Sequence, residues 1–175
     1  MKDQRPYWLF PEEWENSKLS DIDTEFSEVG VYTHKWALVI TWFTRWTDEW
    51  EIDCSHCGNT DEHYEIEGLV LIEEFDLTWR YKCKKCLKKF SVTSGTYLAN
   101  QKLPIEYWWR TAYLLGSFNI EINSNWLSKD LCVTQTTAYY MLIVIAKALG
   151  LKQTTPLKTE KGTYDIMEAL LTVRK

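Results

Sequence analysis

Four cysteines carry the most definite chemistry in this sequence: Cys54 and Cys57 form one Cys-x-x-Cys turn, and Cys83 and Cys86 form another. Such a turn aims two thiolates at one point while its backbone amides stabilise the sulfur charge, and two turns complete a tetrahedral shell of the kind zinc prefers. The expectation is one structural Zn2+ held by all four. A disulfide pairing and a redox dithiol are the competing readings, and the occurrence of both pairs together favours metal. Four thiolates leave no open coordination position, so a catalytic zinc is not expected. Gly58 follows the first pair, where a positive backbone torsion is needed. The 25 residues between the pairs are longer than the usual ribbon gap and must fold as a hairpin. His56 and His63 read as surface or packing residues rather than ligands, and the lone Cys132 as a small core residue.

The second chemical signal is charge. The net charge is -5, which argues against indiscriminate binding to nucleic acid, because such affinity comes from cations that displace phosphate counterions. The distribution is uneven, however. Residues 1–53 hold 12 acids and 5 bases, and residues 61–76 add seven acids without a Lys or Arg. Residues 79–90 then reverse the sign, with Arg80, Lys82, Lys84, Lys85, Lys88 and Lys89 and no acid. A charge run is often just a solvated face. Six cations on one small rigid module also make a surface that can contact phosphates. The 10 Trp residues could offer base-stacking platforms, but Trp36, Trp46, Trp108 and Trp109 fall at helical apolar spacing and read as core.

The elements that must position these residues follow from periodicity. Residues 1–30 show no sustained period and suggest an irregular arm. Trp36, Val39, Ile40, Phe43 and Trp46 recur at three- and four-residue steps, as on a helix that delivers the chain to the first cysteine pair. Residues 64–72, 77–81 and 88–92 are strand candidates and would form a small antiparallel ribbon. Pro104 then opens a helix bearing Ile105, Trp108, Trp109, Ala112, Tyr113 and Leu115, weakened at Gly116. Asn123 or Ser124 can cap a second helix running to about residue 130, and Thr134 a third over 135–149, closed by Gly150. Two helices joined so tightly read as a helix-turn-helix. The expected fold is α+β: a helical arm over 1–50, a zinc ribbon over 51–96, a helix-turn-helix domain over 97–150, and a tail with a short helix over 151–175. No stretch nears the roughly 20 apolar residues of a membrane span, and the N-terminus lacks a signal-peptide layout. A soluble, cytoplasmic protein without a small-molecule substrate is expected.

Taken in order, Arg45-Trp46-Thr47-Asp48, Cys54-Ser55-His56-Cys57-Gly58, Arg80-Tyr81-Lys82-Cys83-Lys84-Lys85-Cys86, Phe90-Ser91-Val92-Thr93-Ser94-Gly95-Thr96 and Leu103-Pro104 before a Trp-rich helix resemble the N-terminal half of a family of bacterial insertion-sequence transposases. The resemblance covers about residues 43–149. It implies a zinc ribbon and helix-turn-helix that bind double-stranded DNA at transposon ends, ahead of an acidic-triad nuclease domain. Only about 25 residues follow the third helix, so the nuclease is not implied, and Glu160, Asp165 and Glu168 are expected in an exposed connection and a short helix. The third helix also departs from the family pattern, which places a Lys at Thr136 and an Arg at Tyr140. What remains is Gln135, Thr136 and Tyr139 for base contacts and Lys82, Lys84, Lys85, Lys88 and Lys89 for phosphates. The expected function is a non-catalytic, mobile-element or phage-associated DNA-binding factor. A repurposed acidic module that engages a host protein is the rival, and a nuclease fragment working with a separate catalytic chain the third reading.

Overall fold

The computed structural model describes residues 37–38, 41–42, 44–46, 52–61, 63–72, 75–118, 120–152 and 155–173. The arm expected over 1–30, and Trp36, Val39, Ile40 and Phe43 of the expected helical face, lie outside the described residues. Three antiparallel strands, β1 (His63–Ile72), β2 (Phe75–Cys83) and β3 (Lys89–Ser91), form one sheet in the order β1-β2-β3. Four helices follow: α1 (Ile105–Phe118), α2 (Ser124–Asp130), α3 (Gln135–Ala148) and α4 (Thr163–Leu171). The architecture is thus α+β.

The sheet is a device for bringing two distant turns together. The β1-β2 register sets His63 opposite Cys83, so the hairpin folds the 25-residue gap away and leaves its open end beside both cysteine pairs. An irregularity between Glu65 and Glu67 shifts the ladder once, as a bulge does where an extra residue enters one strand. On the other edge Tyr81 faces Phe90. Inside the ribbon Tyr81 and Phe90 stack at 5.6 Å, with Trp46 edge-on to Tyr81 at 5.6 Å and His63 edge-on to Phe90 at 5.1 Å. A module this small has little aliphatic core, and aromatic side chains supply the most buried area per residue.

Residues 37–38, 41–42 and 44–45 are α-helical and tie the ribbon to the helices. The buried hydroxyl of Thr41 donates to the carbonyl of Ala37 at 2.6 Å and accepts from Trp109 Nε1 of α1 at 2.8 Å. Trp42 Nε1 donates to the Tyr81 hydroxyl at 3.2 Å. The indole N–H groups of Trp42 and Trp109 therefore leave water with a partner, which removes most of the desolvation penalty, whereas Nε1 of the fully buried Trp108 has none. The buried residues form a single cluster from Trp46, Tyr81 and Phe90 through Trp108 and Leu115 to Ile145 and Leu170. Ribbon and helices share one core.

Local signals set the helix ends. Asn123 caps α2 by accepting from the Trp126 amide at 2.9 Å, and Thr134 caps α3 by accepting from the Thr137 amide at 3.2 Å. Between them lies a turn in which Cys132 adopts φ +52, and the axes bend through 112°. Cys132 is exposed, not the core residue its isolation suggested, because the left-handed turn rotates its side chain outward. After α3, the amides of Gly150 and Leu151 donate back to the carbonyls of Lys147 and Ala146, the paired pattern that closes a helix by a left-handed residue. Arg110 on α1 grips Asp130 at the end of α2 with two parallel bonds of 2.8 Å. Among the described residues no single helix is long and apolar enough to cross a membrane.

Two findings depart from the sequence reading. Helix α1 runs through Gly116 to Phe118, and α4 is no appendage: Ile166, Met167, Leu170 and Leu171 are buried, with α4 packed on α1. The two departures have one cause. A Cβ on Gly116 would lie 2.3 Å from the Thr163 amide nitrogen and 2.6 Å from the Gly162 carbonyl carbon, so the glycine admits the start of α4 to the α1 backbone. The segment leading into α4 is also stitched down, by Ile122 and Leu157 exchanging backbone bonds of 2.8 and 2.7 Å. Gly116→Ala should accordingly destabilise the protein by at least about 2 kcal/mol, since backbone rather than a flexible side chain must yield. Denaturant unfolding, with the midpoint shifting down, checks this. An unchanged midpoint would mean that α4 does not seat there.

Candidate metal centre and nucleic-acid interface

The two cysteine turns have the same backbone. In the first, the Cys54 amide donates to the Asn59 carbonyl at 2.9 Å and the Gly58 amide returns to the Cys54 carbonyl at 2.8 Å. In the second, the Cys83 amide donates to the Lys88 carbonyl and the Leu87 amide returns to the Cys83 carbonyl, both at 3.0 Å. The residue after each pair takes a left-handed conformation, Gly58 at φ +67 and Leu87 at φ +59. Glycine does so freely, whereas a leucine bears a steric cost of about 1–2 kcal/mol there. The second turn therefore holds its shape against the local preference of its own residue.

These turns converge their sulfurs. The Sγ atoms of Cys54, Cys57, Cys83 and Cys86 all lie within 4.8 Å of one another, with Cys54–Cys86 and Cys57–Cys83 each at 3.7 Å. A disulfide would need about 2.05 Å. Four sulfurs about 2.3 Å from a central ion at tetrahedral angles are about 3.8 Å apart. The donor set and its spacing thus fit one tetrahedral metal ion.

The surroundings prepare the sulfurs for that charge. Burial pushes the Cys54 thiol up to about 12, against amide donors from His56 and Cys57. Burial would also raise Cys83, but donation from the Cys86 and Lys85 amides and from the Cys57 and Cys86 thiols outweighs it and brings Cys83 down to about 6. Both sulfurs are buried, and the donors around Cys83 favour its thiolate where burial of Cys54 favours the thiol.

Residues outside the turns hold them in place. Asp53, immediately before Cys54, accepts from Trp46 Nε1 at 2.9 Å and pairs with Arg45 Nη2 at 3.2 Å. Arg45 Nη1 reaches on to the Leu171 carbonyl at the end of α4, 3.3 Å away. This clamp locks the first turn to the helical core. His63 Nε2 donates to the Ile52 carbonyl at 2.6 Å, and exposed His56 donates from Nε2 to the Lys89 carbonyl at 3.1 Å. Both histidines are thus engaged in packing and backbone bonds. After β3, Ser91, Thr93, Ser94 and Thr96 bond one another and the local backbone, as in Ser94 Oγ accepting from the Ser91 amide at 2.8 Å and Thr96 donating to the Thr93 carbonyl at 2.7 Å. That hydroxyl-rich turn carries the chain from the ribbon towards α1.

The expected phosphate-contacting residues sit on or beside the second cysteine turn. Lys84, Lys85, Lys88 and Lys89 are exposed and Lys82 is half-buried. The Lys84 ammonium lies 5.0 Å from the ring centre of Tyr64. The expected base-contacting residues are on a separate element: Gln135, Thr136 and Tyr139 are all exposed on α3. Tyr140 beside them accepts from Gln101 Nε2 at 3.1 Å, which links α3 to the segment after the ribbon. Sequence reasoning quoted Arg45 and Trp46 without seeing their role, and it passed over Leu87; only a comparison of the two turns, Gly58 against Leu87, could have drawn attention to it.

Two outcomes follow. Gly58→Ala should destabilise the ribbon by about 1 kcal/mol through torsion alone, since a Cβ there meets nothing within 4 Å. Leu87→Gly should be neutral or stabilising by up to about 1 kcal/mol, strain relief being offset by a freer unfolded chain. Thermal unfolding of the metal-loaded variants checks both. Metal uptake must also displace thiol protons. Cys54 gives one up throughout the neutral range, and Cys83 only below about 6. The slope of log affinity against pH, read by chelator competition, should steepen by about one proton as pH falls through that value. No family model, curated protein or solved structure matches the chain, so the use of this site has to be argued from its own residues.

Proposed function

We propose that this chain is a zinc-ribbon and helix-turn-helix protein that binds duplex DNA without cleaving it. In this reading it is a mobile-element or phage-associated factor similar to the DNA-binding region of insertion-sequence transposases. A tetrahedral set of four thiolates suits zinc or iron. Zinc is the choice for a purely structural centre, because it brings no redox chemistry to the ribbon. The observation that carries the DNA reading is the disposition of α2 and α3. Their axes bend through 112° across a four-residue turn, within the range of a helix-turn-helix. The side chains that a groove-reading helix must keep free, Gln135, Thr136 and Tyr139, are exposed. Gln135 can pair with adenine through two hydrogen bonds, while Lys84, Lys85, Lys88 and Lys89, with Lys82 behind them, neutralise phosphates.

Catalysis is not part of the proposal. Four thiolates close the metal's coordination shell. Of the C-terminal acids, Asp165 accepts from the Gly162 amide at 3.1 Å and so caps α4, which is a structural task.

One observation favours the rival reading of an acidic module that binds a protein. The exposed start of α3 carries no cation, and Tyr139 and Tyr140 are 42% and 47% exposed. A titration of duplex DNA over a range of salt separates the two. Each phosphate neutralised contributes about 0.9 to the slope of log affinity against log salt. Replacing Lys84, Lys85, Lys88 and Lys89 by Ala should flatten that slope by about 3 to 4 units and weaken all sequences alike. Gln135→Ala should leave the slope alone and cost about 1–3 kcal/mol of discrimination between sites. Absence of duplex binding even at low salt would transfer the case to the protein-binding module.

A further inference from the structure

Leu87 is 61% exposed, more than any other large apolar side chain whose burial is described. It lies in the middle of the basic turn, with exposed Lys84 and Lys85 before it and exposed Lys88 and Lys89 after it. Its φ of +59 is one that a leucine adopts only at a cost, and the equivalent position of the first turn is a glycine. Neither core packing nor backbone geometry calls for leucine here. The turn that presents it is rigid, because the amide of Leu87 is bound to the Cys83 carbonyl and the carbonyl of Lys88 to the Cys83 amide. A side chain so presented meets a partner without any loop having to be ordered first.

We propose that Leu87 is a wedge that enters between adjacent base pairs of duplex DNA while Lys84, Lys85, Lys88 and Lys89 hold the phosphates on either side. The inference rests on the DNA-binding reading and adds a mode of contact to it. Apolar side chains used in this way unstack one base step and kink the duplex, and the bent DNA then wraps more of the protein. The charge pattern matches that task, since exposed cations both precede and follow the apolar tip along the chain. Tyr64, 53% exposed with Lys84 over its ring, extends the same surface. An anionic bilayer also attracts lysines, but one leucine is too little apolar surface to anchor a protein there, and it suffices for a single base step.

The test is energy transfer across a short duplex labelled at both ends, with affinity measured over several salt concentrations on the zinc-loaded full chain. The wild type should raise the transfer on binding. Leu87→Ala and Leu87→Gly should bind about tenfold more weakly, as expected for one leucine left unburied, should keep the wild-type salt slope, and should lose the bending signal. The glycine variant suits the backbone at φ +59, so a folding defect cannot imitate the effect, and full zinc content confirms this for both. Leu151→Ala, an exposed leucine elsewhere, should behave as wild type. Unchanged affinity and bending in both Leu87 variants overturn the wedge and leave the DNA reading standing. Failure of the wild type to bind duplex, with or without binding to anionic vesicles, overturns both.

Discussion

The ribbon among the described residues is organised around the convergence of four sulfur atoms on one point. Cys54, Cys57, Cys83 and Cys86 come from turns separated by a two-stranded hairpin, and their mutual approach within 4.8 Å would be electrostatically unfavourable for four thiolates without a cation among them. A ribbon with so few strands cannot bury enough apolar surface to hold that geometry alone. A metal ion ligated there would supply folding free energy as well as cross-linking. The cost of Leu87 in a left-handed conformation is borne by a turn that two backbone bonds of 3.0 Å hold in shape.

The metal centre does not stand apart from the helices. Asp53, Trp46 and Arg45 connect the first turn to the carbonyl of Leu171 at the far end of α4, and Trp42 and Thr41 connect Tyr81 of the sheet to Trp109 of α1. An ion bound there would, on removal, release the first turn, and with it the segment that carries Arg45. The α2-α3 pair is held from the other side, by the bidentate Arg110–Asp130 bond, whose partners are only 21% and 10% exposed. The elements that carry the basic turn and the exposed face of α3 thus share a common core.

The parts of this arrangement that were legible in the sequence are those encoded locally. The cysteine spacing specifies ligand chemistry regardless of the surrounding fold, and Asn123, Thr134 and Gly150 mark helix ends through bonds to backbone only a few residues away. What could not be read depends on partners far along the chain. Gly116 looks like a helix breaker until α4 is seen to cross it, and Arg45 looks like a solvated cation until Asp53 and Leu171 arrive. The apolar spacing of Ile166, Met167, Leu170 and Leu171 was present in the sequence, but an exposed tail gave it no partner. Cys132 was misplaced for a related reason, since its burial depended on a turn conformation that residue type alone does not dictate. At the candidate site the convergence of the four cysteines was legible from spacing, whereas the left-handed backbone at Leu87 is a conformation that leucine as a residue type does not announce.

The central claim is that one zinc ion holds the ribbon and, through it, the protein. Elemental analysis of the purified chain combined with thermal unfolding before and after chelation tests it most directly. The account predicts one zinc per chain, loss of stoichiometric zinc in Cys83→Ser, and a large fall in unfolding temperature when the metal is removed. A metal-free chain with undiminished thermal stability, or a Cys83→Ser variant that keeps its full zinc, would contradict it.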